Sequence, residues 1–496
     1  MTKNKFKFMK LSNLISLNLL TLSFGCFQSA DKDKSIILSS PSLKNTSATA
    51  LSSSFFEIAQ QENEQWWEIF NSSELNVLIE TAINNSPTLQ LAESRIVAAQ
   101  ATVKSVRSKL FPELSMNASE NWAHLSKYGF YRDFFPAPPG SRPPAALNDI
   151  NLSLNFSYEI DFWGKNRKKL AGALGLAIAK QMEKKQIELV LCEAVAFSFF
   201  EWQAHTAEKN IYEKWLLSEK KLSHFFSSRY ESGLDNTLPP LKQTQQLGAI
   251  EQKIIDLEKK REVDVFFLKS LLGMSPDDPL SLTVIEEHLT QKIQLPENLG
   301  LDLLAQRPDL MSQIWKVAAA GEAIGVAKTE FYPNVNLAAV AGLSSLTFSH
   351  LFLWASRTGA LTPAVHLPIF TGWQLEANLD QKVALFNEEV SFYNEMLLKA
   401  AQQVAEEITR FISVEKQLQI QNSLVSLQKK SYEISSLRFE KGVDNYKPVI
   451  TSSQTLFSQE INAVYLNHAL ILSTLRIIQS LGGGLHSQKL PPSLYP

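Results

Sequence analysis

RFEKGVDN, residues 438–445, is the stretch that decides the fold, because a second copy, RYESGLDN, lies 209 residues earlier at 229–236. In each copy a glycine is followed by an apolar residue, then Asp-Asn, and then a proline, Pro239 or Pro448, six residues after the glycine. Glycine accepts a positive φ, asparagine tolerates one, and proline is favoured in a first helical turn. Each copy therefore predicts a sharp corner between two helices.

The two corners belong to a repeat that extends over most of the chain. Pro87 and Pro112 match Pro308 and Pro333 at a constant spacing of 221 residues. A helical pattern of about 70 residues precedes each corner, and at 1.5 Å per residue it spans roughly 100 Å. Such helices are much longer than those of ordinary globular domains. The chain is therefore predicted to consist of two similar halves of one mainly helical structure.

The composition excludes several classes of function. The 496 residues carry a net charge of −2, whereas a protein that binds nucleic acid needs a basic surplus. The chain contains no HExxH motif, nucleophile elbow or phosphate-binding glycine loop. Cys192, one of two cysteines, falls in an apolar helical run and is predicted to be a small buried residue. We therefore predict no catalytic centre, no metal site and no cofactor.

The first residues have the pattern of an export signal. Four lysines among the first ten residues precede an apolar run at 11–25, which is too short to span a membrane as a helix. Cys26 follows a glycine, as at a bacterial lipoprotein processing site, and Phe27 in place of aspartate points to the outer membrane. We predict a signal peptide at 1–25, lipidation of Cys26 and a flexible tether at 26–60. The alternative is an ordinary secretory peptide with an incidental cysteine.

Alternating apolar and polar residues predict strands in both halves. From Ile150 to Phe162, seven apolar residues alternate with Asn, Ser, Glu and Asp. This length, and the aromatic end at Tyr158–Trp163, suit a strand that spans a membrane. The alternative is a soluble hairpin with one face on a core. The long helix that follows offers no second layer for such a core.

The bounds of the two repeats follow from these patterns. The first repeat, 61–297, is predicted to contain strands at 112–124 and 150–163, a long helix at 164–232, a corner at 229–240 and a helix to 272. The second repeat, 298–484, is predicted to contain a helix at 307–331, strands at 333–345 and 360–370, a long helix at 372–441, a corner at 438–448 and a helix to 481. Residues 485–496 form a C-terminal tail. The predicted fold class is mainly α with a membrane β-barrel portion.

The strands also predict how many copies assemble. Four strands cannot close a barrel, and hydrocarbon does not tolerate open sheet edges. Two chains would give eight strands and an interior filled with side chains, whereas three give twelve strands and room for a lumen. Six polar residues predicted to point inwards favour a wet interior: Asn117, Ser153, Asn155, Ser157, Asn334 and Asn336. The strand pattern therefore predicts a homotrimer.

Several motifs together resemble the TolC/OprM type of outer-membrane efflux protein. They are WWEIF (66–70), SPTLQLAESRIVAAQATVKSVRSKLFPEL (86–114), SYEIDFWGKNR (157–167), LLAQRPDL (303–310), IGVAKTEFYPNVNL (324–337), LPIFTGW (367–373) and RFEKGVDNY (438–446). The resemblance implies a homotrimer in the bacterial outer membrane, lipid-anchored, with a twelve-stranded barrel on a periplasmic α-helical barrel. It implies two protein partners, a periplasmic adaptor (membrane fusion) protein and an inner-membrane pump of the RND type, besides outer-membrane lipid.

The implied function is that of a passive exit duct for drugs, toxic compounds or metals. A duct for type I protein secretion is the alternative within the family, and Cys26 with the RPDL and FWGK motifs resembles the efflux branch more closely. Two other classes remain. A structural coiled-coil scaffold would explain the helices but not the strand alternation. A hydrolase would need two converging carboxylates, and no such pair stands out.

In the family, both corners of each subunit lie at the periplasmic tip, where inward-coiled helices close the tunnel and open it by unwinding outwards. The residues at the matching gate positions are Arg229, Tyr230, Gly233, Asp235 and Lys242 in the first corner, and Arg438, Phe439, Gly442, Asp444, Lys447 and Thr451 in the second. Relatives often carry aspartate at the positions of Pro448 or Thr451. Here those carboxylates are missing and Lys447 replaces an apolar residue. We predict that three copies of Lys447 form a cationic constriction, unless Asp444 or Asp235 neutralises it. The alternative is a solvated lysine on the outer face.

Overall fold

The computed structural model describes residues 34–39, 41–58, 65–124, 126, 146–234, 236–284, 293–295 and 307–483. The helices are α1 (Lys44–Leu51), α2 (Ser73–Asn85), α3 (Pro87–Ser108), α4 (Lys165–Glu231), α5 (Leu238–Leu271), α6 (Pro308–Thr329), α7 (Phe348–Leu351), α8 (Gln374–Glu440) and α9 (Lys447–Ser480). The strands are β1 (Phe56–Ile58), β2 (Glu113–His124), β3 (Ala146–Ile160), β4 (Ile293–Leu295), β5 (Asn334–Ser345) and β6 (Arg357–His366).

The lengths of the helices repeat from one half to the other. The long helices α4 and α8 each have 67 residues, the helices after the corners, α5 and α9, each have 34, and α3 and α6 each have 22. A β-hairpin precedes each long helix. The predicted fold class, a duplicated hairpin with long helices, is confirmed.

Four strands form one antiparallel sheet in the order β2-β3-β5-β6. Its register aligns Asn117, Ser153 and Gly342 across three strands, and it aligns Met116, Leu154 and Ala341 beside them. Because side chains alternate between the two faces of a strand, all six polar residues that were predicted to point inwards lie on one face. Leucine, methionine and phenylalanine side chains occupy the other face, together with Val335 and Val365.

The outer strands of this sheet are exposed along their whole length. Every residue of β2 and of β6 is exposed to solvent, on both faces. β3 ends at Ile160 rather than at 163, and β6 runs from Arg357 to His366 rather than from 360 to 370. β3 ends early because the chain turns there to begin α4, and Pro368 follows soon after β6.

The FWGKN motif forms the junction between β3 and α4. The carboxylate of Asp161 accepts hydrogen bonds from the backbone N–H groups of Asn166 and Arg167, both at 3.0 Å, and so caps the first turn of α4. Gly164 takes a φ of +77°, which glycine adopts without strain. Trp163 donates from Nε1 to the carbonyl of Pro333 at 2.9 Å. The motif therefore starts the long helix at a fixed point on the sheet.

The RPDL motif fastens the start of α6 to the end of α9. Arg307 forms an ion pair with Asp309 at 2.7 Å, and its Nη1 donates to the carbonyl oxygen of Ser480 at 3.0 Å. A helix leaves its last carbonyls without partners, and a guanidinium satisfies one of them here. The motif thus has a structural role.

The described residues fall into two compact units. One, the sheet unit, contains the sheet with parts of α3, α4, α6 and α8; the other, the helical unit, contains α1, α2, α5, α9 and the remaining parts of those helices. The core of the helical unit joins the first helices to the long ones through large apolar residues, among them Trp66, Leu75, Phe199, Leu268 and Ile478. Cys192 is buried in this core, as predicted, and burial raises the pKa of its thiol to about 12.

The prediction of a flexible tether is wrong for the described residues between 34 and 58. Leu38 N–H donates to Asn394 Oδ1 at 2.9 Å, and Ser53 donates to Glu415 at 2.8 Å. The ring of Phe56 packs edge-on against Phe411 at 5.0 Å, and β1 pairs in parallel with β4. Bonds and ring contacts to α8 therefore order a segment whose low average hydrophobicity had indicated disorder.

α9 is long and apolar enough, by length and composition alone, to cross a membrane. Many of its residues are nevertheless buried within the helical unit, including Leu470, Leu475 and Ile477. Core helices of soluble domains have the same composition. We therefore interpret α9 as a core helix.

Candidate functional site

The two corners have the same backbone structure. Gly233 has a φ of +70° and Gly442 a φ of +72°. In the first corner, Gly233 N–H donates to Tyr230 C=O and Leu234 N–H donates to Arg229 C=O, both at 2.9 Å. The second corner repeats these bonds at Phe439 and Arg438, also at 2.9 Å. This pair of bonds is the Schellman motif, which satisfies the last carbonyls of a helix when the next residue adopts positive φ.

The helices that leave the corners also begin alike. The Asn236 side chain accepts a hydrogen bond from Leu238 N–H at 3.0 Å, and the Asn445 side chain accepts one from Lys447 N–H at 3.1 Å. A proline follows in the first turn of each helix. Each asparagine therefore accepts the first N–H of the helix from the position before the N-cap, as in an Asx turn. The proline has no N–H, so it leaves no backbone donor unsatisfied in that turn. The GxDN pattern is thus explained by local structure.

The positive φ of Gly442 can be tested by a substitution that adds no steric clash. A Cβ at Gly442 would meet no atom within 4 Å, so Gly442→Ala acts through its positive φ alone. We expect the substitution to destabilise the corner by about 1–2 kcal/mol. Tryptic cleavage at the corner should be faster, because the cleavage rate follows the population of the locally unfolded corner. Gly248→Ala is the matched control, because Gly248 lies inside α5 in equally open space. Equal cleavage rates in both variants would contradict the assignment of a positive φ to residue 442.

An ion pair closes the second corner. Arg438 Nε lies 2.5 Å from Asp444 Oδ2, across the turn. The hydrogen bond from Arg438 lowers the pKa of Asp444 below its usual value, so the carboxylate is ionised at neutral pH. The Asp444 carboxylate therefore forms an ion pair with Arg438 of the same corner.

Aromatic rings join the two corners of one chain. Phe225 from α4 lies 5.0 Å from Tyr446 and 6.1 Å from Phe439, and Phe439 lies 4.5 Å from Tyr446 between ring centroids. We call these three residues the corner aromatic cluster. Arg229 places its guanidinium 5.7 Å from the centroid of Phe225. Burial, followed by Tyr432 and Glu219, raises the pKa of Tyr446, so its hydroxyl stays protonated at neutral pH. The cluster holds both corners together through apolar contact.

The other predicted gate residues lie on the surface of the corners. Tyr230, Lys242, Lys447 and Thr451 are exposed, and the Thr451 hydroxyl donates to the carbonyl of Lys447 at 3.2 Å. The structure thus brings together Arg438 with Asp444 and Phe439 with Tyr446. Asp235 and Cys26 lie outside the described residues.

Phe225 and Tyr446 were not among the predicted gate residues. A signal for them was available in the repeat. At the spacing of 209 residues, Phe225 matches Ile434 and Tyr446 matches Thr237, so each is aromatic in one copy alone.

Four titratable side chains from α4, α5 and α9 meet inside the helical unit. His205 Nδ1 lies 2.7 Å from Asp264 Oδ2, and the Glu201 carboxylate lies 3.9 Å from His205 Nε2 and 3.8 Å from His468 Nε2. Burial, with a smaller effect of His205, lowers the pKa of His468 to about 4. Among the described residues, no group of three or more His, Cys, Asp or Glu side chains has a geometry that would hold a metal ion.

Glu193 in α4 also has a shifted pKa, and its effect on the pH dependence of stability is opposite to that of His468. Burial raises the pKa of Glu193 in α4 to about 7; Arg476 lowers it and Glu407 raises it further. When the pH falls from about 7 to about 4, the unfolded chain binds a proton at His468 before the folded chain does. This difference lowers the free energy of unfolding by up to about 3 kcal/mol. Over the same range the folded chain protonates Glu193 first, which raises that free energy by a similar amount.

Single substitutions should therefore change the pH dependence of stability with opposite signs. Relative to the unmodified protein, we expect His468→Gln to gain stability on acidification and Glu193→Gln to lose it. The measurement is the unfolding transition in detergent, followed by circular dichroism at about pH 7 and about pH 5. If both variants change in the same direction, the burial of one of these groups has been misassigned.

Comparison with known proteins agrees with this architecture. The family model described as outer membrane efflux protein matches residues 78–274 and 299–483. The multidrug resistance outer membrane protein MdtQ of Escherichia coli O157:H7 is 26% identical over 423 residues, which cover 85% of this chain and 88% of that protein. The toluene efflux pump outer membrane protein TtgF of Pseudomonas putida is 27% identical over 427 residues, covering 84% and 85%.

Solved structures have the same fold. The outer membrane protein VceC of Vibrio cholerae superposes with a TM-score of 0.78 at 26% identity, covering 86% of this chain and 100% of that one. The outer-membrane channel OprN superposes with a TM-score of 0.82 at 19% identity, covering 93% and 100%. The family model matches well over half of the chain, which is enough to assign the chain to that family. The chain belongs to the outer membrane efflux protein family.

Proposed function

We propose that three copies of this chain form an outer-membrane channel through which small molecules leave the cell. The four-stranded sheet supports this function most strongly, because β2 and β6 are exposed edges and polar and apolar side chains are sorted to opposite faces. A lipid bilayer requires every strand edge to be paired. Three sheets joined edge to edge would pair all edges in a twelve-stranded barrel, with the polar face towards a lumen.

The channel would act as the exit duct of a pump and catalyse no reaction itself. The named relatives serve multidrug resistance and toluene efflux, which favours drugs and apolar toxic compounds as cargo over secreted proteins. A duct without an energy source needs an inner-membrane pump and a periplasmic adaptor that connects the pump to the duct. We choose an RND-type transporter as the pump. Cys26 would carry the lipid anchor, and the ordered segment from residue 34 onward would lead the chain from it to α8.

The two corners would form the periplasmic gate. Asp444 is engaged by Arg438, so it does not serve as the counter-ion of the exposed Lys447. Unless Asp235, which lies outside the described residues, neutralises it, Lys447 would present positive charge at the constriction in all three copies and repel cations. An anionic or neutral compound would pass more readily than a cation of the same size.

Deletion of the gene tests this function directly. We expect the deletion strain to become more sensitive to dyes, antibiotics and solvents, and the wild-type gene to restore resistance. The control is the amount of secreted protein in the culture medium, which should not change. Unchanged resistance together with lost secretion would replace efflux by the protein-secretion alternative.

A further inference from the structure

Glu219 in α4 is a buried carboxylate near the first corner, and its role is not explained by the corner geometry. It lies on the corner side of α4, about 21 Å along the helix from Gly233. None of its surface is exposed. Its carboxylate accepts hydrogen bonds from Trp215 Nε1 at 2.9 Å, from Gln454 Nε2 at 3.4 Å and from Gln243 Nε2. These donors belong to α4, α9 and α5.

The site is built for an ionised carboxylate. A buried charge costs free energy unless hydrogen bonds compensate it. An ionised carboxylate only accepts hydrogen bonds, and an indole N–H and two amide NH2 groups supply three donors around it. A glutamine at position 219 would turn its own NH2 group towards at least one of these donors. The hydrogen bonds to the charged group are also stronger than neutral ones.

Comparison of the two corners shows that the bond between the two helices of a corner does not need the Glu219 carboxylate. At the spacing of 209 residues, Gln428 matches Glu219 and Ser452 matches Gln243. In the second corner Gln428 Nε2 donates to the Ser452 carbonyl at 3.0 Å, and in the first Gln243 Nε2 donates to the Glu219 carbonyl at 3.2 Å. One neutral amide therefore joins the two helices of each corner. The carboxylate of Glu219 adds a second bond from Gln243 and the bond from Gln454 of α9, for which the second corner has no counterpart at Gln428.

Trp215 provides the second part of that contact. Its ring stacks on Phe457 of α9 with the centroids 5.7 Å apart and 17° between the planes, and on Tyr212 of α4 at 5.7 Å and 18°. The bond from Nε1 to Glu219 sets the orientation of this ring. The matching positions of the repeat are Leu424 and Gly248, which cannot form such a stack.

We propose that Glu219 is the positioning residue that holds α4 and α5 of the first corner on α9 of the second, and so keeps the gate in its resting state. The proposal rests on the proposed function, because it takes the corners to be the gate. Loss of the negative charge weakens the hydrogen bonds from Gln454 and from Trp215, which both donate to one oxygen of Glu219. One charge-assisted hydrogen bond corresponds to a shift of roughly tenfold or more in a two-state equilibrium, so the open population should rise by that factor.

The test compares three variants of the full-length protein in planar lipid bilayers. Glu219→Gln should raise the resting open probability roughly tenfold. Gln454→Leu, which leaves the bonds to Trp215 and Gln243 in place, should raise it by a smaller factor. Gln428→Leu is the matched control, because it removes a bond inside the second corner and none to the first. Its open probability should stay within about twofold of the unmodified protein.

The outcomes separate this proposal from the proposed function. Failure of the unmodified protein to form channels or to support efflux would overturn the function. If the unmodified protein works and Glu219→Gln keeps its resting open probability, the role of Glu219 is overturned. An equal rise in Glu219→Gln and Gln428→Leu would also overturn it, since Glu219 would then be one packing residue among others. If Glu219→Gln fails to assemble, Gln454→Leu decides, and an unchanged open probability in that variant overturns the proposal.

Discussion

Replacing Gly342 with valine will prevent assembly of the channel. A Cβ at Gly342 would clash with the carbonyl oxygen of Leu152 and would lie 2.8 Å from Ser153 Cα, both backbone atoms of the neighbouring strand β3. Because backbone atoms in the middle of a sheet cannot move aside, β3 and β5 would have to separate. We expect a cost of about 3 kcal/mol or more per chain. The measurement is the fraction of heat-modifiable oligomer in outer-membrane extracts, which should fall below about a tenth of the unmodified level.

Gly359 in the edge strand β6 is the matched control. A Cβ at Gly359 would meet Val340 O at 3.5 Å, which is an ordinary contact distance. Gly359→Val should therefore leave β6 paired with β5 and retain a larger fraction of oligomer than Gly342→Val. Normal assembly of Gly342→Val would contradict the register of β3 on β5.

Replacing Lys447 with aspartate will reverse the charge preference of the channel. The substitution puts an anion in place of a cation in every subunit at the proposed constriction, where Lys447 is exposed. The local potential should change by several kT, so the ratio of K⁺ to Cl⁻ permeability should rise by roughly tenfold. The measurement is the reversal potential in a salt gradient across a planar bilayer. The variant should also be blocked by divalent cations at concentrations that leave the unmodified channel open.

Lys104, an exposed lysine in α3 far from both corners in the sequence, is the control. Lys104→Asp should change the permeability ratio by less than about twofold. An unchanged reversal potential in Lys447→Asp would place Lys447 outside the conduction path, as a solvated lysine. Block of the unmodified channel by low micromolar divalent cations would likewise argue against a cationic constriction.

Local signals predicted those parts of the structure that depend on neighbours in the chain. The glycines of the two corners could be recognised because positive φ restricts residue choice at single positions, and Gly233 and Gly442 adopt it. The faces of the sheet could be recognised because alternation has a period of two residues. The long helices could be recognised because proline and glycine mark their ends, and α4 and α8 begin and end within two residues of the predicted bounds.

Contacts between distant segments could not be predicted in the same way. Phe225 and Tyr446 are 221 residues apart in the chain, and nothing local to either indicates the other. The segment from residue 34 to residue 58 has a composition typical of disorder, and a few bonds to α8 order it. Glu219 is indistinguishable in the sequence from the other glutamates of α4, such as the exposed Glu213 and Glu231. Its importance depends on burial by three helices, which the repeat alone does not reveal.

The exposed edges of the sheet, β2 and β6, need further copies of the same chain to pair with them. The most direct measurement is the mass of the purified protein in detergent, by light scattering with the detergent contribution subtracted. We expect a particle with the protein mass of three chains, each at most 55.7 kDa. A particle with the mass of a single chain, still folded and stable at the same concentration, would contradict it.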